Sequence, residues 1–367
     1  MRKRLAALVI AMVITTGMIS GCSSKLDDSE VVVKMGEMEI TADIANFYAR
    51  YQQSVYETYY GLSEDTWTME LEDGKDYETS IKDDILTSLE TLYVLDVHRD
   101  EYEVEVTEDE QARIKEAAQA FVEANGDSEL TVVSGNVSTV ERVLELMTIQ
   151  NKMYDVMVAD VDTEVSDEEA AQKKMEYVSF SFTTTDEDGN SVELTEDELA
   201  ALKKEAEDFN ELVQLEEDFN TYATAQGYNP LEATFDAEST TPAAELIEAA
   251  DALGEGEYTG VIETDTAYYA AKVVSLLDRD ATDTKKESIV QERKDTRYQE
   301  LVDQWIEDTD PVVYDNVWKK IDFQKQGVTI KDTTAEEEET TDDAAGEEET
   351  ADNAAVEDDG TTDENAE

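Results

Sequence analysis

Cysteine, histidine and basic residues are scarce in this sequence. Among its 367 residues there is one cysteine, Cys22, and one histidine, His98. A single thiol excludes an intramolecular disulfide, so we expect Cys22 to serve covalent attachment rather than redox chemistry. His98 has no cysteine or second histidine with which to form a metal site, and we expect it to lie at the end of a helix.

The balance of charge is strongly acidic. The chain has 28 lysine and arginine residues against 93 aspartate and glutamate residues, a formal net charge of −65. Such a surface repels nucleic acid and anionic lipid, so nucleic-acid binding is excluded. The acidic surface either attracts cationic partners or only keeps the protein soluble, and the second interpretation is the simpler one. Paired carboxylates occur throughout so acidic a chain, and they carry no signal for acid–base catalysis.

One acidic loop has some of the ligands of a calcium site but does not complete the pattern. Asp186 begins a run with alternating oxygen ligands, whereas the EF-hand pattern requires glycine at its sixth position and glutamate at its twelfth. Ser191 and Asp197 stand at those positions instead. We therefore predict a polar turn here, with no bound metal and no cofactor in the chain.

The N-terminus carries an export signal. Residues 1–4 form a basic segment, residues 5–18 are apolar, and small residues precede Cys22, which is the pattern of a secretory signal peptide. Ile-Ser-Gly-Cys at 19–22 resembles the bacterial lipobox, and the resemblance implies cleavage before Cys22 and a lipid on its sulfur. Two or three acyl chains, at about 0.8 kcal/mol per buried methylene, hold a protein durably on a membrane.

Both ends of the chain are thus predicted to lie outside the folded part. Residues 1–21 are the predicted signal peptide, and residues 22–30 are a polar tether. Export and a lipid on Cys22 would place the protein on the extracytoplasmic face of the cell membrane. A transmembrane anchor and a cleaved, soluble export signal are the alternatives, although the apolar run is shorter than the roughly 20 residues that span a bilayer comfortably. Residues 332–367 contain 17 acidic residues and no basic one, and they are predicted to form a disordered, solvated tail.

Residues 31–165 have mainly helical patterns. Two valine- and methionine-rich runs on either side of Gly36 predict a hairpin. Thr107 with Glu110, and Ser166 with Glu169, have the capping-box spacing that starts helices. The first helix has an apolar face at helical spacing: Ile44, Phe47, Tyr48, Tyr51 and Val55.

The hydrophobic period changes at Tyr177. Residues 177–182 predict a strand, and three segments of helical spacing follow it. Residues 258–263 and 267–276 then predict a closing hairpin. A strand, helices and a hairpin make a small mixed unit, so the predicted fold class is α+β. A long helix follows, and Pro311 is expected to break it.

Five segments in this order resemble the extracytoplasmic foldases of the PrsA and SurA type. Val-Val-Val-Lys-Met-Gly-Glu-Met-Glu-Ile-Thr at 31–41 is similar to the opening hairpin of that family. Residues 104–110 and 165–169 are similar to its two helix starts, in which valine precedes serine or threonine and an acidic triplet. Leu-Gly-Glu-Gly-Glu-Tyr at 253–258 resembles the parvulin segment that leads into a strand, and Tyr-Tyr-Ala-Ala-Lys-Val at 268–273 resembles the last parvulin strand.

The resemblance implies a domain organisation and a function. It implies a helical, SurA-N-like chaperone domain in residues 31–165, an inserted parvulin-like α/β domain in residues 166–280, and a C-terminal helix in residues 281–331 that returns to the chaperone domain. It also implies a membrane-anchored foldase of the peptidyl-prolyl isomerase family whose partners are unfolded exported proteins. A homodimer is left open.

The sequence departs from this family at the isomerase site. An active parvulin has one histidine on its first strand and another on its last strand, and the alignment places Tyr177 and Tyr269 at these positions. Residues 235–242 also lack the family's glycines. Because tyrosine has a pKa of about 10, it does not titrate near neutral pH, and we predict a degenerate isomerase site. A working isomerase with tyrosines in place of the histidines is the alternative.

The densest aromatic cluster of the chain lies between residues 47 and 67. Much of it is expected to be core, but Tyr56, Tyr59 and Tyr60 fall outside the apolar face of the first helix, and we predict that they bind clients. A solute-binding lipoprotein of a transporter is the second alternative function. It requires two comparable α/β lobes, which the helical patterns between residues 44 and 157 disfavour.

Overall fold

The computed structural model describes residues 26–72, 74–186 and 189–330, together with the backbone of a two-residue strand at Met12–Val13. Cys22, the rest of the predicted signal peptide and the acidic tail lie outside the described residues. The chain divides into two compact units. The helical unit comprises the described residues up to Met153 and from Gln304 onward, and the sheet unit comprises Tyr154–Asp303. The predicted inserted domain, residues 166–280, falls within the sheet unit.

The first part of the chain contains three short strands and six helices among the described residues. They are β1 (Met12–Val13), β2 (Val31–Met35), β3 (Met38–Thr41), α1 (Ala42–Tyr59), α2 (Glu64–Trp67), α3 (Tyr77–His98), α4 (Glu108–Ala124), α5 (Asp127–Val132) and α6 (Val137–Met157), with a 3₁₀ turn at Arg99–Tyr102.

Local signals position these elements. Gly36 has a φ of +58°, the left-handed conformation that a two-residue hairpin turn requires, and it connects β2 to β3. The predicted capping box at Thr107 is confirmed, because its hydroxyl accepts the N–H of Glu110 and the Glu110 carboxylate accepts the N–H of Thr107. His98 ends α3 as predicted.

The helices of this unit pack through apolar faces. Leu89, Leu92 and Leu95 of α3 are fully buried, three residues apart as on one side of a helix. Phe47 of α1 meets Phe121 of α4 edge to face, with ring centroids 5.3 Å apart. Such a pair contributes about 0.5–1.5 kcal/mol beyond its buried area.

The middle of the chain forms the sheet unit. Its elements are β4 (Lys173–Ser181), β5 (Thr183–Thr185), β6 (Ser191–Glu193), α7 (Glu196–Val213), α8 (Phe219–Ala225), β7 (Leu231–Phe235), α9 (Ala244–Asp251), β8 (Tyr258–Glu263) and β9 (Ala267–Ser275).

A four-stranded sheet in the order β7-β4-β9-β8 forms the centre of this unit, and each neighbouring pair is antiparallel. Successive residues of a strand point to opposite faces. On β4, Val178 and Phe180 pack with α7 and α8 on one face, whereas Met175 and Tyr177 pack with α9 on the other. The mixed arrangement confirms the predicted α+β class.

The last part of the chain contains α10 (Arg279–Asp308), β10 (Val312–Val313), α11 (Asp315–Trp318) and β11 (Thr329–Ile330). Helix α10 ends just before Pro311, as predicted. Strand β10 then adds to β2 as a third antiparallel strand, and Gly36 donates its N–H to the carbonyl of Thr309 at 2.9 Å. Strand β11 pairs with β1, and cleavage of the predicted signal peptide would remove this partner.

Buried polar side chains of the helical unit hold the C-terminal segment, defined here as residues 318–330. Lys82 of α3 donates to the carbonyls of Trp318 and Ile321, and Glu78 accepts the N–H of Phe323 at 2.9 Å. Val328 donates its N–H to the carboxylate of Glu57 on α1 at 2.6 Å. The helical unit is therefore completed by residues from the end of the chain.

Three local predictions differ from the structure. The helix predicted after Ser166 is wrong: a single turn forms, with the Glu169 N–H bonded to the Ser166 hydroxyl at 3.1 Å, because strand β4 begins only a few residues later. Strand β4 starts at Lys173 rather than Tyr177. Strand β7 was not predicted, since it is a short edge strand with alternate exposed residues that directly follows Pro230.

Candidate functional site

Tyr177 and Tyr269 share one face of the sheet. Tyr177 pairs with Ala271 across β4 and β9, and Ser179 pairs with Tyr269, so the two tyrosines are diagonal neighbours. Their ring centroids lie 6.1 Å apart. The strands thus bring together the two residues that the sequence alignment placed at the parvulin histidine positions.

The surroundings of the two tyrosines are apolar. Tyr177 belongs to a buried cluster with aliphatic and aromatic side chains, and Tyr269 packs against its edge. Burial, followed by the effect of the neighbouring Tyr269, raises the pKa of Tyr177 above its ordinary value, so its hydroxyl stays neutral at physiological pH. The cluster consists of Met175, Tyr177, Phe235, Leu246, Ile247, Ala250, Ala271 and Val273.

This face offers little acid–base chemistry. Within the described part of the chain, neither tyrosine hydroxyl forms a side-chain hydrogen bond. A neutral phenol in an apolar cluster cannot exchange protons near pH 7, and without an oriented partner it is not held toward a substrate atom. The side chains around Tyr177 therefore form a packed apolar core on this face of the sheet.

A polar cluster fixes the loop that follows β7. Asp236 accepts hydrogen bonds from Gln172 at 2.8 Å and from Ser239 at 2.9 Å, and it forms an ion pair with Lys285 at 2.9 Å. Burial alone would raise the pKa of Asp236, but the hydrogen bonds from Lys285, Gln172 and Ser239 outweigh it and hold this pKa far below the ordinary value. These contacts hold in place the loop at residues 235–242, where parvulins have glycines.

An aromatic patch, defined here as Tyr56, Tyr59 and Tyr60, lies at the end of α1. Tyr59 is 63% exposed and Tyr60 71%. Tyr56 is partly buried under Tyr60, with ring centroids 5.7 Å apart. Among the predicted client-binding residues, the structure therefore exposes Tyr59 and Tyr60 and partly covers Tyr56.

The aromatic patch rests on a rigid base. Trp67 is fully buried, lies 6.1 Å from Tyr56 and 5.2 Å from Phe323 between ring centroids, and donates its indole N–H to Glu57 at 3.0 Å. The base is thus part of the core that the C-terminal segment completes, while the outer rings of the patch face solvent.

Sequence reasoning missed a polar face of α1. Asn46, Arg50 and Gln53 are all buried, whereas Tyr51 and Val55, predicted as part of the apolar face, are only partly buried. Asn46, Arg50 and Gln53 are four and three residues apart, which is the spacing of one helix face. This spacing could have indicated a shared polar face from the sequence. Arg50 and Gln53 donate to main-chain carbonyls of the C-terminal segment, and Asn46 donates to the Val132 carbonyl and the Ser134 hydroxyl. The sequence pattern does not show that these partners lie beside α1.

His98 has a structural role. Its ring stacks on Trp305 with centroids 4.1 Å apart and an angle of 7°, and its Nδ1 lies 2.8 Å from Glu101. This stack connects α3 to the end of α10 within the helical unit. Across residues 26–72, 74–186 and 189–330, no cluster of three or more histidine, cysteine or acidic side chains has the arrangement to hold a metal ion. In the same residues, no helix combines the length and hydropathy needed to cross a bilayer.

Comparisons with protein-family models and with curated proteins find no match. Among solved structures, the chain is similar to the foldase protein PrsA from Lactococcus lactis, at 13% identity and a TM-score of 0.33, over 81% of this chain and 99% of that chain. It is similar to the peptidylprolyl isomerase PrsA from Bacillus cereus, at 17% identity and a TM-score of 0.29, over 82% and 99%. It is also similar to a SurA-like chaperone from Campylobacter jejuni, at 11% identity and a TM-score of 0.26, over 77% and 98%. TM-scores this low do not define a common arrangement of the whole chain.

Proposed function

We propose that this chain is an extracytoplasmic folding factor that binds unfolded segments of newly exported proteins through its helical unit. The observation that carries the proposal is the aromatic patch. Unfolded chains present apolar side chains in no fixed order, and an exposed tyrosine offers such partners a large apolar ring with a polar hydroxyl at its end. A patch that stays exposed on a rigid base is typical of an interaction surface.

The sequence supports the same class of function. Segments between residues 31 and 273 resemble PrsA- and SurA-type foldases in their order, and the N-terminal signal directs the chain out of the cytoplasm. The lipobox at 19–22 supports a lipid anchor on Cys22. Replacing Cys22 by serine should abolish labelling by radioactive palmitate and release the protein from the membrane fraction. Unchanged labelling of that variant would contradict the anchor without affecting the client-binding proposal.

In this proposal the sheet unit has no isomerase activity, and clients bind to the helical unit. Rotation about a peptide bond has a barrier of roughly 18–20 kcal/mol, and a catalyst lowers it only by binding the twisted amide better than the planar one. On the face with Tyr177 and Tyr269, neither tyrosine hydroxyl has a side-chain hydrogen-bond partner among the described residues that would orient it. In a proline-peptide isomerisation assay we expect the uncatalysed rate, and a rate above it would establish the enzyme instead.

Aggregation of an unfolded exported protein, followed by light scattering, tests the client surface. We expect the mature chain to suppress aggregation and the double variant Tyr59→Ser, Tyr60→Ser to lose at least half of this effect. Leu215→Ser is the matched control, because Leu215 is 78% exposed and lies in the sheet unit. Equal suppression by all three proteins would place the client surface elsewhere, and no suppression by the mature chain would refute the function.

A further inference from the structure

Strand β11, the last element among the described residues, pairs with an apolar segment from the other end of the chain. Its residues Thr329 and Ile330 lie opposite Val13 and Met12 in antiparallel register. Met12 and Val13 belong to residues 5–18, a stretch without a charged side chain. The edge of β11 therefore receives an uncharged segment in extended conformation.

Helix α1 holds β11 from the opposite side. Val328 donates its N–H to the Glu57 carboxylate at 2.6 Å. Ile330 donates its N–H to the Thr58 hydroxyl at 2.8 Å. Every second residue of an extended chain directs its N–H and C=O to the same side, so those of Thr329 point away from α1, toward β1. The contacts with α1 therefore leave the edge that receives the partner strand unchanged.

Maturation of the chain would open this edge. Cleavage before Cys22, which the lipobox predicts, separates β1 from the mature protein, whereas the two hydrogen bonds to α1 remain. The N–H and C=O of Thr329 then lie at an open strand edge. Such an edge is a template for another extended chain, and the main-chain hydrogen bonds that form there give affinity without a particular sequence.

The edge of β11 adjoins the aromatic patch. Thr58, which accepts the N–H of Ile330, directly precedes Tyr59 on α1. Tyr59 and Tyr60 are the two exposed rings of the patch. An extended segment paired with β11 therefore lies beside the apolar surface that the proposed function assigns to clients.

We propose that in the mature chain the edge of β11 binds an extended apolar segment of an unfolded exported protein, which adds to β11 as a strand through its main chain. The occupant is assigned from the segment that pairs with β11 in the full chain, which is uncharged and extended. Pairing through main-chain groups suits a factor whose clients differ in sequence. This inference rests on the proposed function and on the predicted cleavage, and it adds the mode by which a client is held.

The test uses the mature chain, residues 22–367, and the NMR signal of the Thr329 N–H. The probe is the capped peptide Ile-Ala-Met-Val-Ile-Thr-Thr, the sequence of residues 10–16, flanked by aspartates that keep it soluble. The matched control has a methyl group on the main-chain nitrogen of its valine, which removes the N–H that lies opposite Thr329. We expect the probe to move the Thr329 signal saturably, a scrambled probe to do so with similar affinity, and the methylated peptide to leave it in place.

A pair of variants tests the same contact from the protein side. Thr329→Pro removes the N–H of residue 329 and keeps the two N–H groups that α1 accepts, whereas Thr329→Ala keeps all three. Thr329→Pro should weaken binding of the fluorescently labelled probe about threefold to tenfold, as for a lost hydrogen bond, and Thr329→Ala should leave it unchanged. The urea midpoint of both variants, followed by tryptophan fluorescence, should equal that of the mature chain.

Several outcomes would overturn the proposal. The Thr329 signal could stay in place at millimolar probe, or it could move equally with the methylated peptide, whose use requires no change in the protein. Binding of the probe without binding of the scrambled peptide would reveal a site for the chain's own N-terminal segment rather than for clients. A mature chain that suppresses aggregation but does not bind the probe would retain the proposed function and lose only this inference.

Discussion

Replacing Lys82 by methionine is expected to loosen the C-terminal segment from the helical unit. Lys82 and Glu78 lie one turn apart on α3, both are buried, and their charged atoms are 3.5 Å apart. Lys82 also donates to two carbonyls of the C-terminal segment and lies 4.8 Å from the centre of the Trp318 ring. Glu78 accepts the N–H of Phe323. Two buried side chains thus hold three main-chain groups of one segment.

The expected cost follows from what the substitution leaves behind. Methionine keeps the length and most of the apolar volume of Lys82, but it removes the charge and all three N–H donors. Glu78 then loses its ion-pair partner and keeps only the more distant charge of Arg50, and two carbonyls lose a donor. Breaking a buried ion pair from one side costs about 3–5 kcal/mol, a large share of the roughly 5–15 kcal/mol that stabilises a domain. The double variant Glu78→Gln, Lys82→Met should be at least about 1 kcal/mol more stable than Lys82→Met, since it contains no unpaired charge.

Urea unfolding followed by tryptophan fluorescence measures this cost. Trp67, Trp305 and Trp318 are the three tryptophans of the chain and all belong to the helical unit, so the signal reports on that unit. Lys204→Met is the matched control, because Lys204 forms an exposed pair with Asp208 and should change stability by less than about 1 kcal/mol. A loss below about 1 kcal/mol for Lys82→Met, or a double variant less stable than the single one, would refute the reasoning.

Three further predictions concern other contacts. The pKa of Asp236 in the folded state lies below its unfolded value of about 3.9, and such a shift stabilises the fold above that pH. Asp236→Asn should therefore destabilise the sheet unit by about 2 kcal/mol at pH 7. The difference in the free energy of unfolding between the two proteins should shrink as the pH falls below the unfolded pKa, and urea unfolding followed by circular dichroism at pH 7 and pH 2 measures it. His98→Ala removes the stack on Trp305 and should cost about 1 kcal/mol, seen as a lower urea midpoint in tryptophan fluorescence; an unchanged midpoint would show that the stack contributes nothing. The double variant Tyr177→His, Tyr269→His should still fail to accelerate proline isomerisation, because the apolar cluster provides no partners for the imidazoles; a rate above the uncatalysed one would contradict this.

Local patterns predicted a large part of the fold. The hairpin at Gly36, the capping box at Thr107 and the closing hairpin of the sheet unit are all present. Each depends on residues that are close in the chain, so the sequence contains the whole signal. The parvulin resemblance paired Tyr177 with Tyr269, and the register of β4 and β9 places both on one face of the sheet.

Other features needed contacts that local patterns do not contain. Strand β7 is short and largely exposed, and it forms because β4 offers it an edge. The turn at Ser166 has the spacing of a helix start, but its acidic residues are held by cations of α10 instead. Asp167 pairs with Arg279, and Glu169 pairs with Arg293 at 2.5 Å. Competition from distant partners therefore overrode a correct local signal.

The sequence by itself determined the pattern of an export signal, the helices with their caps and the alternating strands, because each of these depends on neighbouring residues alone. Only the tertiary structure decided which polar side chains are buried. The polar face of α1 with Arg50 and Gln53 has the composition of a solvent-facing surface, and it becomes core because main-chain carbonyls more than 260 residues later satisfy its donors. Helical periodicity extends over a few turns, whereas these partners are brought together only by folding of the whole helical unit.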